Sequence, residues 1–170
     1  MQIRFPLLLA LAVATSIETG RGADSFFPLM AWNWAPSDAA TFERMRDCGL
    51  TVAGFVSPKE LDLCHAAGLK AIVSDQRVSG YDWRKVDAGV ARTKVAALIA
   101  ETGSHPAVYG YYLRDEPGAE AFPGLATVAS IVKELAPGKW PYINLFPNYA
   151  SAAQLGTATY EEHLEKFVAT

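Results

Sequence analysis

The sequence predicts an α/β protein built on a parallel sheet, and three observations predict it. Short, nearly continuous apolar runs recur along the chain. Each is followed by a stretch whose apolar residues fall at helical spacing, and glycine or proline closes most of these stretches. Strands that are apolar on both faces need helices between them to cover the sheet. The chain has 170 residues, 51% of them hydrophobic and 19% charged, which suits one packed core. Its formal net charge of −3 supplies no basic face, so a nucleic-acid partner is not expected.

Residues 1–23 read as a signal peptide and short leader. Arg4 precedes the run FPLLLALAVA, residues 5–14, which is half the length of about 20 residues that spanning a bilayer requires. A cation, a short apolar stretch and small residues make an export signal, cut after Ser16 or after Ala23. A secreted or periplasmic location follows, with no stable membrane anchor once the signal is removed. Export also permits disulfides, but Cys48 and Cys64 alone make no scaffold and are read as small buried hydrophobes rather than as a bridge.

In the remaining residues, 24–170, the elements follow in order. FFPLMAWNW, residues 26–34, reads as the first strand. A helix comes next, capped by Ser37 or Asp38, with Phe42, Met45 and Cys48 at helical spacing and Gly49 after it. LTVAGFV, residues 50–56, is the second strand. Ser57, Pro58 and Glu60 form a helix start with a capping box, and Leu61, Cys64 and His65 face inward until Gly68. LKAIVSD, residues 69–75, is the third strand, and the following QRVSGYDWRK reads as a loop. A helix over residues 87–102 carries Val90, Val95, Leu98 and Ile99 as its buried stripe and ends at Gly103. AVYGYYL is the fourth strand. The next helix has Leu125, Val128, Ile131, Val132 and Leu135 and stops at Pro137-Gly138. PYINLF, residues 141–146, is the fifth strand, and a helix capped by Thr159 follows it.

About five βα units with no glycine-rich loop after the first strand argue against a dinucleotide or phosphate-binding fold. The fold class expected is α/β, a (β/α)8 TIM barrel that is incomplete. Such barrels need about 250 residues, so 24–170 are read as the N-terminal part of one, in a truncated chain. A half-barrel closed by a second chain is the alternative.

Sites in such barrels form where strands end. Trp32, Asn33 and Trp34 end the first strand, and Gln76 follows the third, beside Asp75 and Arg77. Arg114, Asp115 and Glu116 end the fourth, and the fifth contributes Asn144, then Asn148 and Tyr149. Indole faces beside amides and carboxylates suit a sugar, whose C–H face stacks while its hydroxyls hydrogen-bond. Trp32 or Trp34 is expected to make such a contact. Tyr81 and Trp83 are read as a loop covering itself. By strict alternation Glu116 shares a face with Arg114, Tyr112 and Gly110, so it is expected to point into the barrel mouth. A carboxyl enclosed there by aromatic rings has its charged form disfavoured, which suits it to protonate a glycosidic oxygen.

The segment HPAVYGYYLRDEPG resembles the fourth-strand segment of clan A glycoside hydrolases, where a strand ends in Asn-Glu-Pro and the Glu is the acid/base. It is still more similar to secreted bacterial barrel proteins with Asp-Glu-Pro there. Their fifth strand and helix also match INLFPNYA, LG and YEEHLEKFV. The resemblance covers nearly all of the mature chain, most strongly from His105 onward. It implies hydrolysis of glycosidic bonds in a poly- or oligosaccharide by a retaining mechanism. Glu116 would be the catalytic proton donor, Asp115 would hold the family's Asn position, and the nucleophile would come from a seventh strand beyond Thr170. The Asp matters: an ionised carboxylate only accepts hydrogen bonds, whereas Asn also donates. The alternative is a non-catalytic carbohydrate-binding barrel, and a third class is a structural half-barrel oligomer. Asp75 is expected to pair with Arg77 or Arg114. His65, His105 and His163 have no metal-ligand spacing, so neither metal nor cofactor is expected. No G-x-S-x-G elbow supports a serine hydrolase.

Overall fold

A computed structural model describes residues 26–170. The leader expected over residues 1–23 lies outside the described residues. Four strands form one parallel sheet: β1 (Val52–Val56), β2 (Lys70–Val73), β3 (Val108–Asp115) and β4 (Trp140–Asn144). Each strand pairs with the next in sequence, in the order β1-β2-β3-β4. Successive neighbours joined by crossovers of one hand put every connecting helix on the same side of the sheet. The helices are α1 (Ala39–Asp47), α2 (Leu61–Ala66), α3 (Gln76–Ser79), α4 (Ala88–Thr102), α5 (Phe122–Leu135), α6 (Ala152–Leu155) and α7 (Tyr160–Ala169).

The main core lies between this helical layer and the sheet. Ala53, Val73, Tyr111 and Leu113 of the strands meet Phe42, Leu98, Leu125 and Val128 of the helices. The opposite face carries a smaller cluster of Val52, Phe55, Ile72 and Tyr112, flanked by Met30, Tyr109 and Tyr142. One face is thus packed by helices and the other lined by aromatic rings.

Local capping explains most helix boundaries. Asp38, not Ser37, caps α1, accepting from the Thr41 amide at 2.8 Å. Ser57 and Glu60 form the expected capping box, in which the Ser57 amide donates to Glu60 Oε2 at 2.8 Å, and Pro58 opens the turn. Asp87 and Thr159 cap α4 and α7.

Several expectations are corrected. The first strand, 26–34, shrinks to a single bridge between Met30 and Val52. Pro28 offers no amide there, and Asn33 turns the chain out of extension at φ 81°. The expected loop after β2 holds the short helix α3, because Asp75 accepts from the Arg77 amide and caps it. The short helix α6, not expected, starts at Ser151, which shares a capping box with Gln154. Val90 is 52% exposed rather than buried, and Ala91 takes its place in the stripe. Cys48 is exposed and Cys64 buried, and both are free thiols. His65 is exposed, with its ring edge-on to His105 on the rim where strands begin. His163 is fully buried, its Nδ1 3.0 Å from the Leu155 carbonyl, and it packs on Phe122.

Candidate functional site

Three β-bulges decide what the sheet presents at its C-terminal rim. The register slips between Gly54 and Val56, between Ala71 and Ile72, and between Tyr112 and Arg114. Phe55, Tyr109 and Leu113 are the extra residues. The third slip overturns the alternation expected for the fourth strand. Tyr112 pairs with Tyr142 on the aromatic face, but beyond Leu113 it is Asp115 that pairs with Asn144. Tyr142 and Asn144 are two apart on an unbroken strand and share that face. Asp115 therefore points inward, and Asn144 Nδ2 donates to its Oδ1 at 2.8 Å.

Glu116 is placed differently. Its φ of 43° is left-handed, and its amide donates to the Asn144 carbonyl at 2.8 Å. For a residue with a Cβ that conformation costs about 1–2 kcal/mol. The side chain is exposed. The enclosure by aromatic rings expected for it is not found among the described residues. It borders a hollow of about 130 Å³ with Phe146, Pro147 and Tyr149, the last 86% exposed.

On the other side of the Asp115–Glu116 bond a hollow of about 410 Å³ is lined by Trp34, Gln76, Ser79, Tyr112, Arg114 and Asp115. Four expected site residues meet here. Trp34, 60% exposed, packs against Phe55 and edge-on to Tyr112. Trp32 lies beside it, edge-on to the same Phe55 at 5.2 Å. Asn33 turns its Oδ1 back to accept from the Trp34 amide at 2.8 Å, which fixes the indole's backbone rather than facing the hollow. Arg114 also lines a hollow of about 230 Å³ on the side of Tyr81 and Trp83, so it stands between the two. Asn148 is exposed and borders neither the Trp34 hollow nor the Glu116 hollow.

Sequence reasoning named Tyr112 only as sharing a face with Glu116, and missed Phe55 and Tyr142. Phe55 is the hub of the inner face, its ring centre 4.2 Å from that of Tyr112 and 6.0 Å from that of Tyr142. Its φ of 33° is strained for a bulky residue and holds the ring on that face. Burial, and then the charge of Asp115, push the Tyr112 phenol up to about 12. The Tyr142 phenol is raised by the same two causes. Both stay protonated as O–H donors next to an acceptor-only carboxylate. The spacing of Tyr142 and Asn144, two apart, was the signal that could have found Tyr142.

Asp75 is not free for chemistry. Arg77 grips both its oxygens at 2.9 Å and holds the carboxyl below its usual range. Tyr81 and Trp83 cover one another at 5.3 Å, as expected. Among the described residues no group of three His, Cys, Asp or Glu side chains is arranged to hold a metal ion.

No family model and no curated protein matches the chain. Among solved structures it is similar to a GH5_18 protein from Bifidobacterium longum subsp. infantis, at 15% identity and a TM-score of 0.47, covering 69% of this chain and 43% of that one. It is also similar to a β-glucuronidase of glycoside hydrolase family 2, at 15% identity and 0.45, covering 70% of this chain and 14% of that one. A third is Saccharomyces cerevisiae Gas2p in complex with laminaritriose and laminaritetraose, at 10% identity and 0.38, covering 83% and 46%. The chain spans less than half the length of each. Similarity at this level assigns neither activity nor substrate.

Proposed function

We propose that the chain is part of a carbohydrate-active (β/α)8 barrel, a retaining glycoside hydrolase acting outside the cytoplasm, with Glu116 as its acid/base. The observation that carries this reading is the strain at Glu116. Glycine or asparagine would sit at φ 43° with little or no penalty, yet the position holds a glutamate at the end of a parallel strand. Strained backbone of this kind gathers at functional sites. Two hollows, one bordered by Glu116 and the other by its neighbour Asp115, support a substrate of more than one sugar. Trp34, Gln76, Arg114 and Asp115 would hold the sugar being cleaved, and Tyr149 would offer a platform to the leaving group.

Retention needs a nucleophile about 5–5.5 Å from the acid. Arg77 takes Asp75, and the nucleophile is expected from a carboxylate outside the described residues. A screen of aryl glycosides with the full-length protein and its Glu116→Gln variant tests the assignment. Loss of at least a hundredfold in turnover is expected. Equal turnover by both proteins would remove Glu116 from the mechanism. The exposure of Glu116 favours a second reading, a barrel that binds carbohydrate without cleaving it. Saturable binding with no turnover of any aryl glycoside would select it.

A further inference from the structure

We infer that the saccharide taken in the hollow beside Trp34 is acidic, and that Arg114 binds its carboxylate or sulfate group. The inference rests on the glycoside reading above and adds to it the class of sugar. Its starting point is the bulge at Leu113. Beyond that bulge Arg114 pairs with Ile143 and Asp115 with Asn144. Ile143 packs against the main core, so Arg114 rises on the helical side of the strand while Asp115 turns to the aromatic side. Two opposite charges adjacent in sequence are thus aimed apart, and no ion pair joins them among the described residues. The Asp115 carboxylate takes Asn144 Nδ2 instead.

Arg114 is unlike the other arginines described. Arg46, Arg77, Arg84 and Arg92 each pair with a carboxylate, and Arg44 donates to the Thr41 hydroxyl. The Arg114 guanidinium makes neither kind of contact among the described residues. The acids near it do not claim it. Asp75 is held by Arg77, and Asp82 accepts from the amide and the guanidinium of Arg84. Glu120 borders the outer hollow with Arg114 but forms no ion pair with it there. A free cation therefore stands at the edge of the hollow where the sugar is placed.

The same wall carries further donors. Ser74 and Gln76 line the hollow, and neither side chain donates a hydrogen bond among the described residues. The Tyr112 phenol stays protonated on the far side, within reach of the charges of both Arg114 and Asp115. A guanidinium presents parallel N–H groups in a rigid fork, which fits the paired oxygens of a carboxylate or sulfate. A neutral hydroxyl fills one arm of that fork and leaves the charge unmatched. An acidic sugar answers both neighbours at once: its anionic group accepts from Arg114, and a ring hydroxyl donates to Asp115.

The test uses pairs of oligosaccharides that share a backbone and differ in charge, titrated by calorimetry into the full-length protein. The pairs are trigalacturonic acid and its methyl ester, a hyaluronan tetrasaccharide and its methyl ester, and sulfated and desulfated neocarratetraose. In at least one pair the charged member is expected to bind about tenfold more tightly, the worth of one hydrogen bond to a charged group. Preference in a uronate pair assigns the carboxylate, and preference in the neocarratetraose pair assigns the sulfate; either supports the inference. Arg114→Gln should bring the ratio towards one. Arg114→Lys, which keeps the charge and loses the fork, should leave an intermediate ratio and serves where the glutamine variant fails to fold. Neutral members that bind as tightly as their charged partners would overturn the inference and leave the glycoside reading standing. So would a ratio that survives both substitutions. Binding of no member, charged or neutral, nor of cellotriose, would sink the glycoside reading and this inference with it.

Discussion

The two rims of the sheet solve the same geometric problem with different residues. Where helices return to strands, the chain turns through the left-handed region at Gly49, Gly68 and Gly138. A Cβ at any of the three would meet open space, so glycine is there for its backbone freedom alone. Nearby polar groups are satisfied: Lys70 Nζ donates to the Pro106 carbonyl and Lys139 Nζ to that of Val108. Where strands end, the left-handed residues are Asn33, Phe55 and Glu116. Phe55 and Glu116 keep their side chains at a cost in strain, whereas asparagine tolerates the region at Asn33, and Arg114 stands beside them with no ion pair among the described residues. One rim is relaxed and the other is not, and the strained rim holds the candidate chemistry.

The comparison is broken most severely at Phe55. It is 3% exposed, and its ring touches Trp32, Trp34, Tyr112 and Tyr142. Phe55→Ala keeps the backbone strain and removes the hub, so a loss of about 3 kcal/mol is expected in urea unfolding. Sugar binding should fall with it, since both indoles lose their support. A loss below about 1 kcal/mol would mean that the aromatic face is a surface decoration rather than a second core.

Much of the helical layer was legible because its signals are local. Thr159 was placed as a cap from the residues that follow it and caps as read, and the helix read as starting near Asp87 does so, with Asp87 as its cap. The stripe of Leu125, Val128, Ile131 and Val132 is buried as its spacing requires. The strand ends were not legible, for a physical reason. A bulge depends on which residue of the partner strand lies opposite, and nothing within YYLRDE announces that Leu113 is the extra residue. One slip moved the inward position from Glu116 to Asp115. Trp34, Gln76, Arg114 and Asp115 were found because residue type at a strand end survives a slip. Orientation does not.

A paired substitution sharpens the contrast between rims. Gly68→Ala forces a Cβ into φ 80° with nothing to touch, and should cost about 1 kcal/mol. Glu116→Gly releases a Cβ from φ 43° and should raise stability by about 1 kcal/mol while abolishing turnover. Opposite signs in thermal unfolding are the expected result. If both substitutions destabilise, the strain at Glu116 is offset locally and carries no functional message.

The smallest effect expected is the pH dependence that Asp75 contributes. The Arg77 guanidinium holds its carboxyl below the ordinary carboxylate value, and the Arg77 amide adds to this. A group depressed in the folded state stabilises above its unfolded pKa, near 3.9, and loses that contribution as pH falls through the lower folded value. Denaturant unfolding of the chain should therefore weaken below about pH 4. Asp75→Asn should flatten that segment of the curve and cost about 1 kcal/mol or less at neutral pH, the ion pair being partly solvated. Sugar binding should change little, because Asp75 spends its charge on capping α3 and holding Arg77 rather than on the hollow beside Trp34. A marked loss of binding would show instead that the Asp75–Arg77 pair is coupled through α3 to the hollow beside Trp34, which Gln76 and Ser79 line.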